Sequence, residues 1–435
     1  MSASGAGLRL TRLALSDFRN HARLAWHPGG AADAHIAAIF GPNGGGKTNI
    51  LEAVSLLGAG RGLRLARRAD LARRDGPGGF AVAGRFAGIE GDFTVATGVP
   101  APGAIPDGAA PDGVAPGAAP GAAPGAAPGA ARDVEPRRVF RLDGAAPESQ
   151  GHIAARVALA WLTPPMERLF QEGASGRRRF LDRLVAALEA GHGRELAAHE
   201  RALAARARLL RSGGADPAWL AAIEDAIARH AVAVTAARAG VLRRLNQALA
   251  RVTPAGFPPA RADLLCPIAA RLGQSPALAV EDWLRARLHE GRGADRASGQ
   301  NGFGAHRADF ALHDAARDLP AAQASTGEQK ALLIGVILGH AALVARVRGF
   351  APILLLDEPM VHLDTDRRAA LIAAVAELPA QIFLTGTDRE LFLPLAGAAT
   401  GWHCGGGRLT ADPAFLAAVD AHACSASGFC APRGL

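Results

Sequence analysis

Residues 35–60, HIAAIFGPNGGGKTNILEAVSLLGAG, decide the fold of this chain. A short apolar run leads into a glycine loop, and the helix pattern after it ends at Gly58, which predicts a strand, a loop and a helix in succession. The loop, residues 41–48, fits the Walker A pattern G-x-x-x-x-G-K-[ST], whose backbone N–H groups curl around phosphates. In that pattern Lys47 reaches the β and γ phosphate oxygens and Thr48 supplies a hydroxyl to Mg²⁺. The residues assigned to nucleotide binding are Gly41, Pro42, Asn43, Gly44, Gly45, Gly46, Lys47, Thr48 and Asn49.

A second apolar run, ILLLDEP at residues 353–359, places two carboxylates at the end of a buried strand. This arrangement is typical of a Walker B strand, in which Asp357 would hold Mg²⁺ through water and Glu358 would orient and polarise the attacking water. The predicted catalytic residues are Glu358 and Lys47, and the predicted metal ligands are Thr48 and Asp357. The alternative is that Asp357 and Glu358 form only an acidic turn after a core strand. The glycine loop at residues 41–48 disfavours this alternative. Asp364 is also assigned to the nucleotide site, although it could equally cap a helix N-terminus, and the two roles can coexist.

The segment STGEQK, residues 325–330, narrows the class of nucleotide hydrolase. A Ser-x-Gly-[Gln/Glu] sequence that opens a helix about 25 residues before the acidic strand resembles the signature motif of ABC-type ATPases. The resemblance implies that Ser325, the Gly327 backbone and Glu328 belong to the nucleotide site, at a helix N-terminus that favours the γ-phosphate. Ser325 and Glu328 also form an S-x-x-E capping box, so an ordinary helix start is the alternative. In ABC-type ATPases one head's signature completes the other head's site, which implies an ATP-dependent head-to-tail homodimer.

The composition favours a polyanionic partner. The 435 residues suffice for two or three domains, and a formal charge of +8 with a pI near 10.5 places nucleic acid ahead of a membrane surface. Only two of the 48 basic residues are lysines, Lys47 and Lys330, so arginine runs carry little information and the lysines call for an explanation. A compact ammonium suits the phosphate loop, which explains Lys47. Lys330 is expected to face a second subunit's nucleotide, DNA or solvent.

Cysteine usage and hydropathy point to the cell interior. The four cysteines lack metal-ligand spacing and are expected to be inert thiols. They are Cys266, Cys404, Cys424 and Cys430. The N-terminus has no apolar signal region and no run of 18 apolar residues occurs, so a cytoplasmic protein with no membrane partner is predicted.

The first part of the chain is patterned as strands. Residues 8–26 alternate like strands around a turn at Ser16 and Asp17, and residues 79–143 indicate an antiparallel sheet. A Pro/Gly/Ala tract at about 100–131, with a PGAA repeat, interrupts that sheet. It cannot bury enough apolar surface to offset its ordering entropy, and we predict a disordered insertion.

The middle of the chain is patterned as helices. Residues 176–252 are rich in Ala, Leu and Arg at helical spacing, which predicts an arm of two or three long helices. After about residue 300 the α/β pattern resumes. The core fold is therefore expected to be split by an inserted helical region.

A transporter nucleotide-binding subunit is the alternative function. Lys47 and Ser325 are 278 residues apart, more than a transporter cassette needs, and the insert is helical rather than transmembrane. Transporter heads usually carry a switch histidine after the strand that follows Walker B, whereas this chain has FLTGTDRE there. Thr385 or Thr387 is the candidate replacement. A scaffold that binds ATP with negligible turnover is a further alternative, which Glu358 disfavours.

Several further segments match one family in order and spacing. They are LALSDFRNH, GPNGGGKTNILEAVSLLGAGRGLR, WLTPPMERLF, GRRRFLDRLV, GAHRADF, STGEQKALL and ILLLDEPMVHLD. Over nearly the whole chain they resemble the RecF family of ABC-type ATPases, whose head is SMC/Rad50-like. The resemblance implies an α/β fold: an ABC-type ATPase head with an antiparallel β subdomain and an inserted helical arm domain. The implied domains are 1–165, the N-terminal part of the head; 166–295, the helical arm; and 296–435, the C-terminal part of the head.

The resemblance also implies a function. It implies an ATP-dependent DNA-binding recombination mediator in DNA replication and repair, which acts with RecR and RecO at gapped single-strand/double-strand DNA and promotes RecA loading. ATP and Mg²⁺ are the implied cofactors, and hydrolysis is implied to be slow and stimulated by DNA.

Arginines would form the DNA surface, through salt-dependent phosphate contacts with little sequence preference. The candidates are Arg61, Arg64, Arg67, Arg68, Arg73, Arg74, Arg177, Arg178 and Arg179. Each could instead be a solvated surface arginine, and the last three could pack the arm against the head. His306 and Arg307, in GAHRADF, are expected either to touch DNA or to hold a structural turn.

Overall fold

The computed structural model describes residues 7–30, 34–101, 138–212, 216–251, 255–413 and 415. Nearly all of the predicted disordered insertion, together with Cys424 and Cys430, lies outside the described residues. The chain divides into two compact units. The first comprises Met1–Pro164, Gly349–Val361 and Leu371–Leu435, and the second comprises Pro165–Arg348 and His362–Ala370.

The described strands and helices follow the predicted order of sheet, helices and α/β segments. The strands are β1 (Arg9–Phe18), β2 (His21–Trp26), β3 (Ile36–Phe40), β4 (Phe80–Ala87), β5 (Phe93–Val99), β6 (Val139–Leu142), β7 (Leu159–Leu162), β8 (Ala260–Leu265), β9 (Asp309–Asp314), β10 (Leu319–Pro320), β11 (Ile353–Leu356), β12 (Ile382–Gly386), β13 (Ala399–Gly405) and β14 (Arg408–Ala411). The helices are α1 (Lys47–Leu56), α2 (Gln150–Arg156), α3 (Ala174–Leu188), α4 (His192–Ser212), α5 (Pro217–Leu249), α6 (Pro267–Leu272), α7 (Ala277–Glu290), α8 (Arg292–Ser298), α9 (Thr326–Arg348) and α10 (Thr365–Glu377).

The first unit contains a six-stranded sheet in the order β14-β13-β3-β12-β11-β7. The five strands from β13 to β7 are parallel to their neighbours, and β14 pairs antiparallel with β13. Every residue of β3, β11 and β12 is buried, as the continuous apolar runs of their sequences predict. The carboxyl ends of parallel strands share one edge, so the segments after β3, β11 and β12 meet there.

The second sheet of this unit is antiparallel, in the order β2-β1-β4-β5-β6, and confirms the predicted β subdomain. The predicted turn at Ser16 and Asp17 is wrong. The β1–β2 ladder continues to the pair Phe18 and His21, and the chain reverses at Arg19, whose φ is 56°. Phe18 is fully buried, and its side chain keeps the strand in register past the two polar residues that suggested the turn.

The second unit is mainly helical. Helices α3, α4 and α5 match the two or three long helices predicted, and α5 packs against α4, α7 and α9. A small antiparallel sheet, β10-β9-β8, completes the unit. Helix α9 is long and apolar enough to cross a membrane, but 78% of its apolar window is buried inside the protein, as in a core helix.

The two units and the predicted domains share one boundary, at residues 164–166. Residues 296–348, however, group with the helical segments, whereas the resemblance implied that they belong to the ATPase head. The three-part domain assignment stays a prediction.

Candidate nucleotide-binding site

The loop between β3 and α1 has a backbone that glycine alone accommodates easily. Gly41, Gly44 and Gly46 have φ values of 144°, 78° and 108°. A Cβ atom on Gly41 or Gly45 would lie only 2.3 or 2.6 Å from the carbonyl oxygen of Cys404. A Cβ on Gly44 would meet nothing within 4 Å. The loop is therefore held tightly against β13 on one side and open at Gly44, as a phosphate cradle requires.

Lys47, the first residue of α1, closes the loop on itself. Its Nζ atom donates hydrogen bonds to the carbonyl oxygens of Gly41, at 2.8 Å, and Pro42, at 3.0 Å. The side chain is buried. An ammonium held over the loop in this way places a positive charge beside the backbone N–H groups that would face phosphate oxygens.

Two hydroxyls converge on the Walker B carboxylate. Thr48 Oγ1 donates to Asp357 Oδ1 at 2.9 Å, and Thr385 Oγ1 donates to the same oxygen at 2.7 Å. Burial raises the pKa of Asp357, and the two hydroxyl hydrogen bonds oppose that shift. Of the two threonines proposed in place of a switch histidine, only Thr385 has this contact; the Thr387 hydroxyl donates to Asp388.

The donor set fits Mg²⁺ bound with a nucleotide. Mg²⁺ prefers oxygen ligands and commonly uses one or two carboxylates together with substrate phosphates. Thr48 and Asp357 supply a hydroxyl and a carboxylate within hydrogen-bond distance of each other. Within the described residues, no cluster of three or more His, Cys, Asp or Glu side chains could hold a metal by itself. The phosphates would therefore have to supply the remaining ligands.

Glu358 follows Asp357 with an unusual backbone. Its φ is 50°, and its N–H donates to Thr385 Oγ1 at 2.9 Å. A left-handed conformation is uncommon outside glycine and often marks a functional position. Thr385 therefore links the predicted metal ligand, through its own hydroxyl proton, to the backbone of the predicted general base.

A polar network beside the loop was not predicted from the sequence. Asn49 accepts a hydrogen bond from Arg64 and donates to Asn20, and Asn20 donates to the Gly45 carbonyl at 3.2 Å. The Asn49 side chain, assigned to nucleotide binding, is therefore engaged by the protein. The segment LALSDFRNH carries Asn20, but no local pattern indicates that its side chain reaches the loop.

A buried carboxylate lies one turn further along α1. Glu52 accepts hydrogen bonds from Arg19 at 2.7 and 2.8 Å and from Arg64 at 3.3 Å. A buried carboxylate needs such partners, because an unpaired buried charge is costly. These contacts join the β1–β2 turn to the helix that carries Lys47 and Thr48.

In the second unit, the signature begins α9 with the capping box that the sequence also allowed. The Ser325 N–H and hydroxyl both lie 2.9 Å from Glu328 Oε2, and the Glu328 N–H donates to Ser325 Oγ at 3.4 Å. The Ser325 hydrogen bonds and Arg317 lower the pKa of Glu328 to about 2. The side chains assigned to the γ-phosphate thus make a helix cap within the chain, and their nucleotide role stays a prediction.

Asp364 caps the N-terminus of α10. Its Oδ1 accepts a hydrogen bond from the Arg367 N–H at 2.8 Å, and Oδ2 lies 3.4 Å from the Arg367 guanidinium. Asp364 therefore acts as a helix cap, as the alternative interpretation of the sequence predicted. A nucleotide contact by this carboxylate stays a prediction.

The expectation for Lys330 is wrong. Its side chain is 1% exposed, and Nζ lies 2.8 Å from Glu167 Oε1. Lys330 does not face outward because α9 is buried on nearly all sides after its first turn.

The candidate DNA-binding arginines fall into two groups. Arg61, Arg64, Arg67, Arg68 and Arg74 are exposed on the segment after α1. Arg73 is only partly exposed and pairs with Asp17 at 2.8 Å, and of the exposed group Arg64 also contacts Glu52 at 3.3 Å.

The arginines of α3 have internal partners in two of three cases. Arg177 binds Asp309 through two hydrogen bonds, at 2.8 and 2.9 Å, and Arg178 donates to the Ala308 carbonyl. Arg179 is exposed. Arg177 and Arg178 therefore make packing contacts, but their partners lie in the same unit, so these contacts do not test packing of the arm against the head. A DNA role for each candidate arginine stays a prediction.

His306 and Arg307 hold a turn of the second unit. His306 Nε2 lies 3.0 Å from the carbonyl oxygen of Asn301, and Arg307 Nε donates to the same oxygen at 3.0 Å. Arg307 also donates to Gln300. These contacts support the alternative that His306 and Arg307 hold a structural turn.

The two described cysteines are buried and free. Cys404 Sγ donates to the Gly45 carbonyl at 3.3 Å, and burial raises the pKa of its thiol to about 11. A thiol that stays protonated is a poor nucleophile and metal ligand, and the inert role of the cysteines stays a prediction.

Comparison with known proteins places this geometry in context. The DNA replication and repair protein RecF of Mesorhizobium japonicum is 42% identical over 398 residues, which cover 91% of this chain and 95% of that protein. RecF of Brucella suis is 41% identical over 403 residues, covering 92% and 96%. No family model matches the chain. These similarities do not favour the transporter alternative.

A solved structure has the same fold. The structure of the recombination mediator protein RecF-ATPrS in the RecFOR pathway superimposes with a TM-score of 0.75 at 19% identity, covering 94% of this chain and all of that one. The RecF-ATP structure gives a TM-score of 0.72. The predicted fold class is confirmed.

Proposed function

Because the chain belongs to the RecF family of DNA replication and repair proteins, we propose that it is an ATP-dependent DNA-binding recombination mediator that acts at gapped DNA. ATP would drive its head-to-tail dimerisation, and slow, DNA-stimulated hydrolysis would release the dimer. The observation that carries the proposal is the contact between the two Walker motifs: Thr48 Oγ1 lies 2.9 Å from Asp357 Oδ1, with Glu358 next in the chain.

The residues of the first unit have distinct roles in this proposal. The 41–48 backbone and Lys47 bind the phosphates, and Thr48 and Asp357 would hold Mg²⁺, which supplies positive charge to the phosphate oxygens when bound. Glu358 orients the attacking water and accepts its proton. Thr385 fixes the carboxylate of Asp357 and the backbone of Glu358 through its single hydroxyl.

The signature residues of the second unit would act on a second copy of the chain. Ser325 and the Gly327 backbone open α9 at a positively polarised helix N-terminus, which suits a γ-phosphate. A chain with one copy of each motif would then hydrolyse ATP only as a dimer. The dimer would have C2 symmetry, because each copy gives and receives the same contact.

DNA would bind to the exposed arginines after α1. This segment follows the helix that begins with Lys47 and Thr48, and Arg64 donates to Asn49 on the first turn of that helix. A phosphate contact at Arg64 would therefore act on a residue adjacent to the nucleotide loop. RecR and RecO are the proposed partner proteins, and RecA loading is the proposed outcome in the cytoplasm.

One experiment tests the proposal: ATP turnover and oligomeric state are measured with and without gapped DNA. We expect an ATP-dependent dimer, DNA binding in the presence of ATP, and faster turnover when gapped DNA is added. Lys47→Arg is the matched control, since it keeps the charge but not the compact ammonium, and it should neither dimerise nor turn over. An intact protein that stays monomeric in ATP, or binds no DNA in ATP, would refute the mediator function.

A further inference from the structure

Lys330 forms a buried ion pair whose purpose packing does not explain. The Lys330 side chain is 1% exposed, that of Glu167 is 11% exposed, and Nζ and Oε1 are 2.8 Å apart. Removing two charges from water is unfavourable, and apolar side chains of similar size commonly fill such a position as well. We therefore expect the Lys330–Glu167 pair to do more than fill space, by binding a third side chain.

That group is His362. Its Nδ1 lies 3.0 Å from Glu167 Oε2, so the carboxylate is shared by the lysine on one oxygen and the histidine on the other. His362 has a φ of 62°, a left-handed conformation that is uncommon outside glycine, although histidine adopts it more readily than most residues. The three side chains form what we call the Glu167 cluster: Glu167, Lys330 and His362.

The backbone of His362 lies against the signature. A Cβ atom added to Gly327 would be 3.0 Å from the His362 carbonyl oxygen, so this backbone contact is close enough to disfavour a side chain. Gly327 and Lys330 are three residues apart on α9 and therefore share one helix face. Helix α9 therefore contacts His362 in two ways. Gly327 approaches the His362 backbone directly, and Lys330 is linked to the His362 side chain through the Glu167 carboxylate.

We propose that Glu167 and Lys330 are positioning residues that hold His362 against Gly327, so that the signature and residues 362–364 form one preset surface for a second copy of the chain. The inference rests on the proposed function, in which Ser325 and Gly327 complete a second copy's ATP site. A surface that is ordered beforehand loses less conformational entropy on association. The cluster thereby strengthens dimerisation and leaves ATP binding by the monomer unchanged.

Two variants of the full-length protein test the cluster. Glu167→Met/Lys330→Met replaces the pair by apolar side chains of similar length, which avoids leaving one buried charge without its partner. His362→Asn keeps a residue type that tolerates a left-handed backbone but shortens the side chain. We expect the dissociation constant of the dimer, measured by sedimentation with a slowly hydrolysed ATP analogue, to rise at least about tenfold in both variants. The affinity of the monomer for the analogue should not change.

The second unit offers a matched control. Asp182 is also shared by a buried cation and a histidine: Arg238 and His192 each lie 2.8 Å from its Oδ1, and the Arg238 and Asp182 side chains are 1% and 12% exposed. These three residues lie on α3, α4 and α5, whereas the signature begins α9. Asp182→Leu/Arg238→Met should therefore leave the dimer intact even where the melting temperature falls.

The possible outcomes distinguish a failure of the inference about the Glu167 cluster from a failure of the proposed function. Wild-type dimer affinity in the double methionine variant and in His362→Asn would overturn the inference alone. Equal weakening in the Asp182 control would also overturn it, because general destabilisation would then explain the effect. A wild-type protein that remains monomeric with the analogue would instead refute the proposed function, and the inference would fall with it.

Discussion

The hydroxyl of Thr48 lies 2.9 Å from Oδ1 of Asp357, although the two residues are 309 positions apart in the chain. The contact brings the first turn of α1 to the end of β11. Thr48→Val removes the hydroxyl and keeps the branched shape of the side chain. A hydrogen bond to a charged group contributes about 1.5–3 kcal/mol, so ATP turnover should fall at least about tenfold. Thr48→Ser should retain most activity; equal activity of the valine and serine variants would contradict the assignment.

Glu358→Gln tests the general base. The amide is nearly isosteric with the carboxylate but accepts no proton, and general-base catalysis contributes about 10²–10⁴-fold to rate. Turnover should therefore drop by about 100-fold or more, while ATP binding persists and the dimer accumulates. Rapid-quench turnover and sedimentation measure the two effects. Normal hydrolysis by this variant would show that another group accepts the proton.

Thr385 is predicted to be a positioning residue for hydrolysis. Its hydroxyl donates to Asp357 at 2.7 Å and accepts the Glu358 N–H at 2.9 Å. Thr385→Val should slow turnover by about tenfold, because one hydrogen bond to a charged group is removed, with a smaller effect on ATP affinity. Thr385→Ser keeps the hydroxyl and should restore the rate. If Thr387→Val impaired turnover more than Thr385→Val, the assignment would be reversed.

The sequence predicted the parts of the site that depend on local chemistry. A glycine loop before Lys47 and a carboxylate after an apolar strand follow from short-range requirements, and the parallel sheet then brings Thr48 to Asp357. Lys330 could not be placed in this way. Its partner Glu167 is distant in the chain, and no helix or strand period links the two positions.

The distance between partners in the chain also explains which other contacts were predicted. Asn20 reaches Gly45 because the β1–β2 turn lies three residues later than Ser16 and Asp17 suggested. The capping box at Ser325 was visible in the sequence, since its two residues are three positions apart. Local patterns therefore predicted caps, loops and strands, whereas long-range polar pairs required the fold.

The exposed arginines after α1 are predicted to set the salt dependence of DNA binding. Arg67→Gln/Arg68→Gln/Arg74→Gln should reduce the slope of log affinity against log salt by about 0.9 for each duplex phosphate that the segment no longer neutralises. Fluorescence anisotropy over a range of salt concentrations measures the slope. The control removes three exposed charges from α4, Arg201→Gln/Arg208→Gln/Arg211→Gln, and should leave the slope nearly unchanged. Equal effects would show that net charge, rather than this segment, governs binding.

Acid should destabilise the second unit through two buried histidines. Burial lowers the pKa of His199 to about 3 and that of His340 to about 4, both below the usual value near 6.5. The unfolded chain therefore binds more protons than the folded chain below pH 6.5. The free energy of unfolding decreases as the pH falls, by up to about 1.4 kcal/mol per pH unit for each histidine. His340 Nε2 lies 2.9 Å from the Leu184 carbonyl oxygen, and His340→Gln keeps a donor there but cannot titrate. Denaturant unfolding at pH 7.5, 6.5 and 5.5 should show a shallower pH slope in this variant, whereas replacement of the exposed His289 by glutamine should not alter it. An unchanged slope in His340→Gln would mean that this histidine is not a source of the acid sensitivity.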